Sequence, residues 1–197
     1  MTQATTMDYI QGTGFAKKGY PVRALFSIPF KGLDENGYPT FVNEKGAITS
    51  TEINFQERNN NEYLKYEGPT DPTYTGSLGN IFGYKGFRLN IFMTYSFGNV
   101  VRLDPIFSAQ YNDLTSMTKE FKNRYRIPGD EKLTNVPTIL TYRQYHDNTS
   151  LLYGYNAYNY SDVRVAKGDF IRMKEISLSY DFPSVWFANT VLKSLSL

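Results

Sequence analysis

The side chains that most often do chemistry are sparse in this chain. His146 is the one histidine in 197 residues and cysteine is absent. A metal site or a general base at His146 therefore lacks the second ligand or the orienting partner that such roles need. Zero cysteine also removes disulfides, thiolate metal sites and cysteine nucleophiles. Two acidic pairs, Asp34-Glu35 and Asp130-Glu131, are sequence neighbours in turn-like stretches. Adjacent side chains in a turn point apart, whereas glycoside hydrolysis needs two carboxylates facing one bond. There is no Ser/His/Asp order and no glycine-rich phosphate loop. Asn148-Thr149-Ser150 and Asn159-Tyr160-Ser161 match the glycosylation acceptor pattern and are read as accidental. The expectation is a protein that is not an enzyme and that carries neither metal nor cofactor.

A denser cluster is aromatic. Tyr153, Tyr155, Tyr158 and Tyr160 lie in "LLYGYNAYNYSD", and phenol rings offer an apolar face with a polar edge. Such rings could contact a sugar-like or other ligand, pack a lid-like partner protein, or simply fill the inside of a long loop. Asp162, Arg164 and Arg172 follow, and the expectation is that they tie the loop base by exposed ion pairs, each contributing at most about 1 kcal/mol.

The elements around these residues read as strands. In "FRLNIFMTYSFGN" the residues Phe87, Leu89, Ile91, Met93, Tyr95 and Phe97 share one face of an extended chain. Arg88, Asn90, Thr94 and Ser96 take the other, with Phe92 as an apolar intruder. The stretch from Gly76 to Tyr84 is a weaker strand that glycines interrupt, and Lys85-Gly86 between the two predicts a tight hairpin. Asp34-Glu35-Asn36-Gly37 is a turn by its chemistry. In "FIRMKEISLSYDFP", Ile176, Leu178 and Tyr180 alternate with Ser177 and Ser179, and Pro183 ends the strand. "LKSLSL" begins a further alternation. Between Asn99 and about Gly168 the pattern dissolves, leaving one helix expected around Asn112 to Lys122, capped by Asn112 or Thr115.

Composition narrows the classes. Seventeen Tyr and fourteen Phe against a single Trp, with a mean hydropathy of −0.45, describe a polar chain rich in amphipathic rings. Sheet surfaces, sugar-binding faces and lipid–water boundaries use such rings. A net charge of +2 is too slight for a polyanionic partner. Lys85-Gly86-Phe87 opens like the aromatic motif of an RNA-binding strand, but Arg88 stands where a small residue is needed, so no nucleic acid is expected. No stretch approaches the roughly 18 apolar residues of a membrane helix. "MTQATTMDYIQGTG" has neither a basic nor an apolar leader region, which leads to the expectation of a cytoplasmic protein or of an internal piece of a longer one.

Connection lengths favour the second. Short turns at Lys85-Gly86 and after Pro183 alternate with long segments before Gly76 and between Asn99 and Gly168, the asymmetry of transmembrane β-barrels. A strand of about 12 residues also suits the roughly 9–11 needed to cross a bilayer at a tilt. The apolar set Phe87, Leu89, Ile91, Met93, Tyr95 and Phe97 is then expected to face lipid and the polar set the lumen, where Phe92 would meet a plug or a loop.

Five blocks in order carry a resemblance: "GYPVRALFSIPFKGLDENGYPTFVNEKG", "EGPTDPTYTGSLGN", "YKGFRLNIFMTYSFGN", "RIPGDEKLTNVP" and "YNYSDVRVAKGDFIRMKEISLSYDFP". Over residues 9 to 197 they resemble the C-terminal third of SusC/RagA-type TonB-linked (TonB-dependent) outer-membrane transporters. Two departures stand out: Tyr125 occupies a position where that family commonly has Trp, and Lys132-Leu133 looks inserted before Thr134. Both fall in the presumed outer loop, so they are expected to bear on substrate or partner contacts more than on the fold.

The resemblance implies an all-β fold of antiparallel barrel strands, long extracellular loops and at most one short helix. It implies import of oligosaccharides or peptides across the outer membrane of a Gram-negative bacterium. The implied partners are the rest of the barrel and its plug, a SusD-like surface lipoprotein, and the TonB complex acting through the plug region. Residues 1–197 would then be part of the barrel domain, without plug, TonB box or final strands, and with a long loop over about 99–168. The alternative is a soluble β-sandwich that binds carbohydrate, although a sandwich should show turn signals every 8–12 residues or so. A secreted hydrolase has the least support.

Overall fold

The computed structural model describes residues 3–12, 15–108, 117–188 and 195–196. In chain order the regular elements are α1 (Thr6–Gln11), β1 (Ala24–Ser27), β2 (Phe30–Leu33), β3 (Pro39–Val42), β4 (Ile48–Thr49), β5 (Lys65–Pro69), β6 (Tyr74–Tyr84), β7 (Phe87–Phe97), β8 (Val100–Arg102), α2 (Tyr142–Asp147), α3 (Ser150–Asn159), β9 (Val165–Lys167) and β10 (Phe170–Tyr180), with short 3₁₀ turns between them. Every strand pairing in the four sheets is antiparallel. The chain divides into two compact units, residues 1–71 with 100–167, and residues 72–99 with 168–197.

The second unit is a three-stranded sheet in the order β6-β7-β10. The hairpin expected at Lys85-Gly86 is present, with Tyr84 opposite Phe87. Both turn residues have positive φ, 45° at Lys85 and 88° at Gly86, the mirror-image turn whose twist suits flanking strands. A Cβ on Gly86 would also meet the Asp181 carbonyl oxygen at 2.9 Å, so the position needs glycine twice over.

On the other side of β7, the register with β10 shifts between Met173 and Glu175, leaving Lys174 as the bulged residue. This explains a phase break in the sequence. Ile171 and Met173 are odd-numbered and Ile176, Leu178 and Tyr180 even-numbered, yet one extra residue keeps all five on one face. Beyond the strand, Asp181 bridges Ser196 in antiparallel fashion.

The first unit holds two buried clusters. Ile10, Phe26, Ile28, Phe41, Ala157 and Tyr158 are central to the larger, and Phe107, Leu140, Leu151 and Tyr155 form the smaller. Strands β2, β3 and β4 make a meander, and β1 pairs β5. Its turns are held by side chains: Asp34 Oδ1 accepts the N–H groups of Asn36 at 2.9 Å and Tyr38 at 2.8 Å, as the turn chemistry predicted. Asn43 Oδ1 does the same for Lys45 at 3.0 Å and Ala47 at 2.9 Å.

Among the described residues there are three short α-helices where a single one is expected. Both α1 and α2 begin with a capping box, Thr5 with Asp8 and Thr141 with Gln144. Most of α3 faces the core through Leu151, Tyr155 and Tyr158. The helix expected at Asn112–Lys122 is a 3₁₀ turn over Lys119–Asn123 where it is described, and its proposed caps Asn112 and Thr115 lie outside the described residues. The stretch read as one patternless loop is therefore largely folded, because α2, α3 and the β8–β9 pair close over a core shared with residues 1–71.

Candidate functional site

In the sheet, residues opposite one another share a face. Phe87, Leu89, Ile91, Met93, Tyr95 and Phe97 stand beside Tyr84, Phe82, Asn80, Leu78, Gly76 and Tyr74 of β6. On β10 the same face continues with Tyr180, Leu178, Ile176, Met173 and Ile171. Asn80 is the one polar side chain in that set, and the large members of both outer strands except Tyr180 are exposed. Rings gather at the two ends. Phe87, Tyr180, Phe182 and Trp186 form a chain of contacts at one end, at 4.5, 4.9 and 6.0 Å between successive centroids. Tyr95 and Phe97 stack at 5.5 Å at the other.

The opposite face is mainly polar, with Ile81, Phe92 and Phe170 as its apolar members. Arg88, Asn90, Thr94 and Ser96 lie beside Ser77, Thr75, Ser177, Ser179, Glu175 and Arg172. Asn90 Nδ2 donates to Glu175 Oε1 at 2.7 Å, and Ser177 Oγ to the same oxygen at 3.2 Å. Phe92 finds its place on this face over Gly79, where a Cβ would meet Phe92 Cδ2 at 3.1 Å. On the apolar face the Tyr95 ring covers Gly76 in the same way. Ring-on-glycine packing of this kind restores contact that glycine removes from a strand.

The tyrosine cluster belongs to the first unit and does not form one platform. Tyr155 and Tyr158 are each 2% exposed, so neither reaches a ligand, which corrects that part of the expectation. Their i, i+3 spacing on α3 turns both into the core. Tyr155 Oη donates to the Thr138 carbonyl at 2.6 Å. Burial pushes the Tyr158 hydroxyl up to about 12. Tyr160 lies under the guanidinium of Arg102, 5.2 Å from it. Tyr153 alone is half exposed. It lines a groove of about 790 Å³ with Phe55, 6.2 Å away between centroids, and with Glu44, Lys45, Glu52, Asn54, Gln56, Ser150 and Asn156.

Other candidates resolve into structural roles. Asp130 accepts the N–H groups of Arg126 and Ile127 at 3.0 and 3.2 Å, and Glu131 that of Gly129 at 2.7 Å. His146 is exposed and stacks on Tyr142 at 5.6 Å. Among the described residues no group of three His, Cys, Asp or Glu could hold a metal. Arg164 is buried rather than exposed; it pairs with Glu120 and donates to the Asp104 carbonyl. Asp162 accepts Phe30 N–H at 3.1 Å and Lys65 Nζ at 3.2 Å. Arg172 lies over Phe170 at 5.0 Å in the other unit.

Tyr125 is buried, donates to the Glu35 carbonyl at 2.6 Å and packs flat on Gly37, whose Cβ position its ring fills. That departure bears on the fold, contrary to expectation.

Two polar residues take roles that their local sequence does not announce. Asn159 is a clamp: its Oδ1 accepts Ile106 and Phe107 N–H, both at 3.1 Å, and its Nδ2 donates to the Phe107 carbonyl at 3.0 Å. Arg102 donates to the Ile10 and Phe26 carbonyls at 3.0 and 2.8 Å. Burial lowers its guanidinium to about 10, which leaves it charged at neutral pH.

The architecture is antiparallel all-β, with a two-faced sheet and a separately cored loop body. No family model matches the chain and no curated protein does. Solved structures do. A chain of the RagAB peptide importer in its 'closed-closed' state has a TM-score of 0.55 at 18% identity, over 91% of this chain and 20% of that one. In the 'open-open' state the TM-score is 0.57 at 18% identity, over 91% and 19%. This chain thus spans about a fifth of the length of those it matches, and what it shares with them is the fold.

Proposed function

We propose that this chain forms part of the wall and outer loops of an outer-membrane importer of the TonB-dependent SusC/RagA type in a Gram-negative bacterium. The observation that carries the proposal is the sheet β6-β7-β10, predominantly apolar on one face, where Asn80 is the polar exception, and predominantly polar on the other, where Ile81, Phe92 and Phe170 are the apolar ones. Eleven residues per strand reach roughly 36 Å, or about 25 Å at a tilt near 45°, the height of a barrel's apolar band. The rings at both ends match the aromatic girdles at lipid–water boundaries. Phe87, Leu89, Ile91, Met93, Tyr95 and Phe97 would face lipid; Arg88, Asn90, Thr94 and Ser96 would face the lumen. An unpaired strand edge cannot stand in hydrocarbon, so β6 and β10 would be continued by further strands of the barrel around a plug.

The likeness to a peptide importer supports import of peptides, with oligosaccharides the second class. The resemblance adds a surface lipoprotein as lid and the TonB complex as energy source. The Tyr153 groove is the place where the loop body would meet ligand or lid.

The chain has no cysteine, so single cysteines introduced from 87 to 97 carry a spin label without background. In lipid vesicles, oxygen accessibility should peak at the odd positions and nickel-chelate accessibility at the even ones. A monodisperse, cooperatively unfolding monomer in buffer without lipid or detergent overturns the proposal in favour of a soluble sandwich.

A further inference from the structure

Between residues 15 and 22 every residue is exposed except Lys17, whose side chain is 14% exposed. Its ammonium points inward among rings: Nζ stands 5.9 Å from the centroid of Tyr9, 5.7 Å from Tyr20 and 5.5 Å from Phe26. It donates to the Asn61 carbonyl at 3.2 Å and lies 3.3 Å from Glu62 Oε1. The walls brace one another edge to face, Tyr9 on Phe26 at 5.8 Å and Tyr20 on Phe26 at 5.1 Å. Tyr66 stands behind them, 4.9 Å from Tyr20 and 5.7 Å from Phe26.

Three ring faces, one carbonyl and one carboxylate are the set that selects an alkylammonium from other cations. A surface ion pair would not need this arrangement, since the side chain of Glu62 is 84% exposed and a lysine could meet it in water. The pocket is also anchored more firmly than its occupant. Tyr9 comes from α1 and Phe26 from the core of β1. Lys17 and Tyr20 share an exposed turn closed on itself, Tyr20 N–H to the Lys17 carbonyl at 3.1 Å. Tyr9 and Phe26 are the ring walls that do not belong to the turn.

We propose that the pocket of Tyr9 and Phe26, with the Asn61 carbonyl and Glu62, is an alkylammonium-binding site, and that Lys17 with Tyr20 is its built-in, displaceable occupant. The ligand class is a primary or quaternary ammonium on an alkyl chain, such as a lysyl side chain. The site stands on the geometry of the first unit alone and does not depend on the barrel reading.

Displacement is read in the unmodified chain. Tetramethylammonium chloride is compared with sodium chloride at equal ionic strength, and acetylation of Lys17 by an N-hydroxysuccinimide ester is followed by mass spectrometry, with exposed Lys18 as internal reference. Tetramethylammonium should raise the Lys17:Lys18 ratio by about tenfold; an unchanged ratio overturns the proposal. A second arm uses Lys17→Ala, which removes the three methylenes beyond Cβ together with the ammonium. Butylammonium should raise its thermal midpoint while 1-butanol at equal concentration does not, and the unmodified chain should respond to neither. Equal effects of butylammonium and butanol make Lys17 a packing element only and overturn the proposal. If Lys17→Ala does not fold, the same comparison is made on Lys17→Gln.

Discussion

The two units of this chain use aromatic and aliphatic side chains in opposite ways. In the sheet β6-β7-β10 most of them lie on one face, and those of the outer strands, from Leu78 and Phe82 to Ile176 and Leu178, stay exposed. In the unit of residues 1–71 and 100–167 they are inside, with Phe26, Phe41, Tyr155 and Tyr158 among the largest buried side chains. The second arrangement draws its stability from water. The first leaves exposed a contiguous apolar patch of an extent unusual on a soluble monomer, which the proposed lipid contact would cover. Placement, rather than the hydrophobic content, separates the two.

That contrast can be broken by substitution. The largest effect is expected for Phe41→Ala, which empties a fully buried site and should cost about 3–5 kcal/mol. Hydrogen exchange should show the loss throughout the first unit, with and without lipid. Ile176→Arg should cost about 2–4 kcal/mol in a bilayer, while the adjacent Ser177→Arg on the polar face costs little; equal effects at the two positions would remove the lipid-facing assignment.

Asn159→Ala leaves the N–H groups of Ile106 and Phe107 without their acceptor, at about 1–3 kcal/mol, read by denaturant unfolding of the first unit. The smallest effect is a slope. The unfolded Tyr158 ionises near 10 and the folded one near 12, so the unfolded state releases its proton first and stability falls as pH rises between these values. Tyr158→Phe should flatten that fall by about 1 kcal/mol per pH unit in alkaline melts, leaving the stability at neutral pH dependent only on the lost hydroxyl.

The sheet was legible because its signal is local. Alternation in "FRLNIFMTYSFGN" places β7 residue by residue, and Lys85-Gly86 names its turn. Even the bulge at Lys174 is written as a change of parity between Met173 and Ile176. The loop body was legible in pieces. The Asp34 turn was read, whereas the capping pattern of Thr141 and Gln144 and the helical spacing of Leu151, Tyr155 and Tyr158 were present but passed over. Low helix propensity hid α3: Gly154 and Asn156 are poor helix formers, and packing holds the helix against the strands. Gly154 approaches so closely that a Cβ there would fall on the Ser50 carbonyl oxygen.

By itself, then, the sequence determined strands β6, β7 and β10 with the two faces of β7, the turns at Asp34 and Lys85-Gly86 and the scarcity of catalytic side chains, all of which depend on residues a few positions apart. Only the tertiary structure decided that Tyr155 and Tyr158 are core while Tyr153 is surface, that Arg164 is buried, that Phe92 rests on Gly79, and that Lys17 is surrounded by rings from α1, β1 and its own turn. Those outcomes depend on partners tens of residues away, and burial is a property of what the rest of the chain brings alongside.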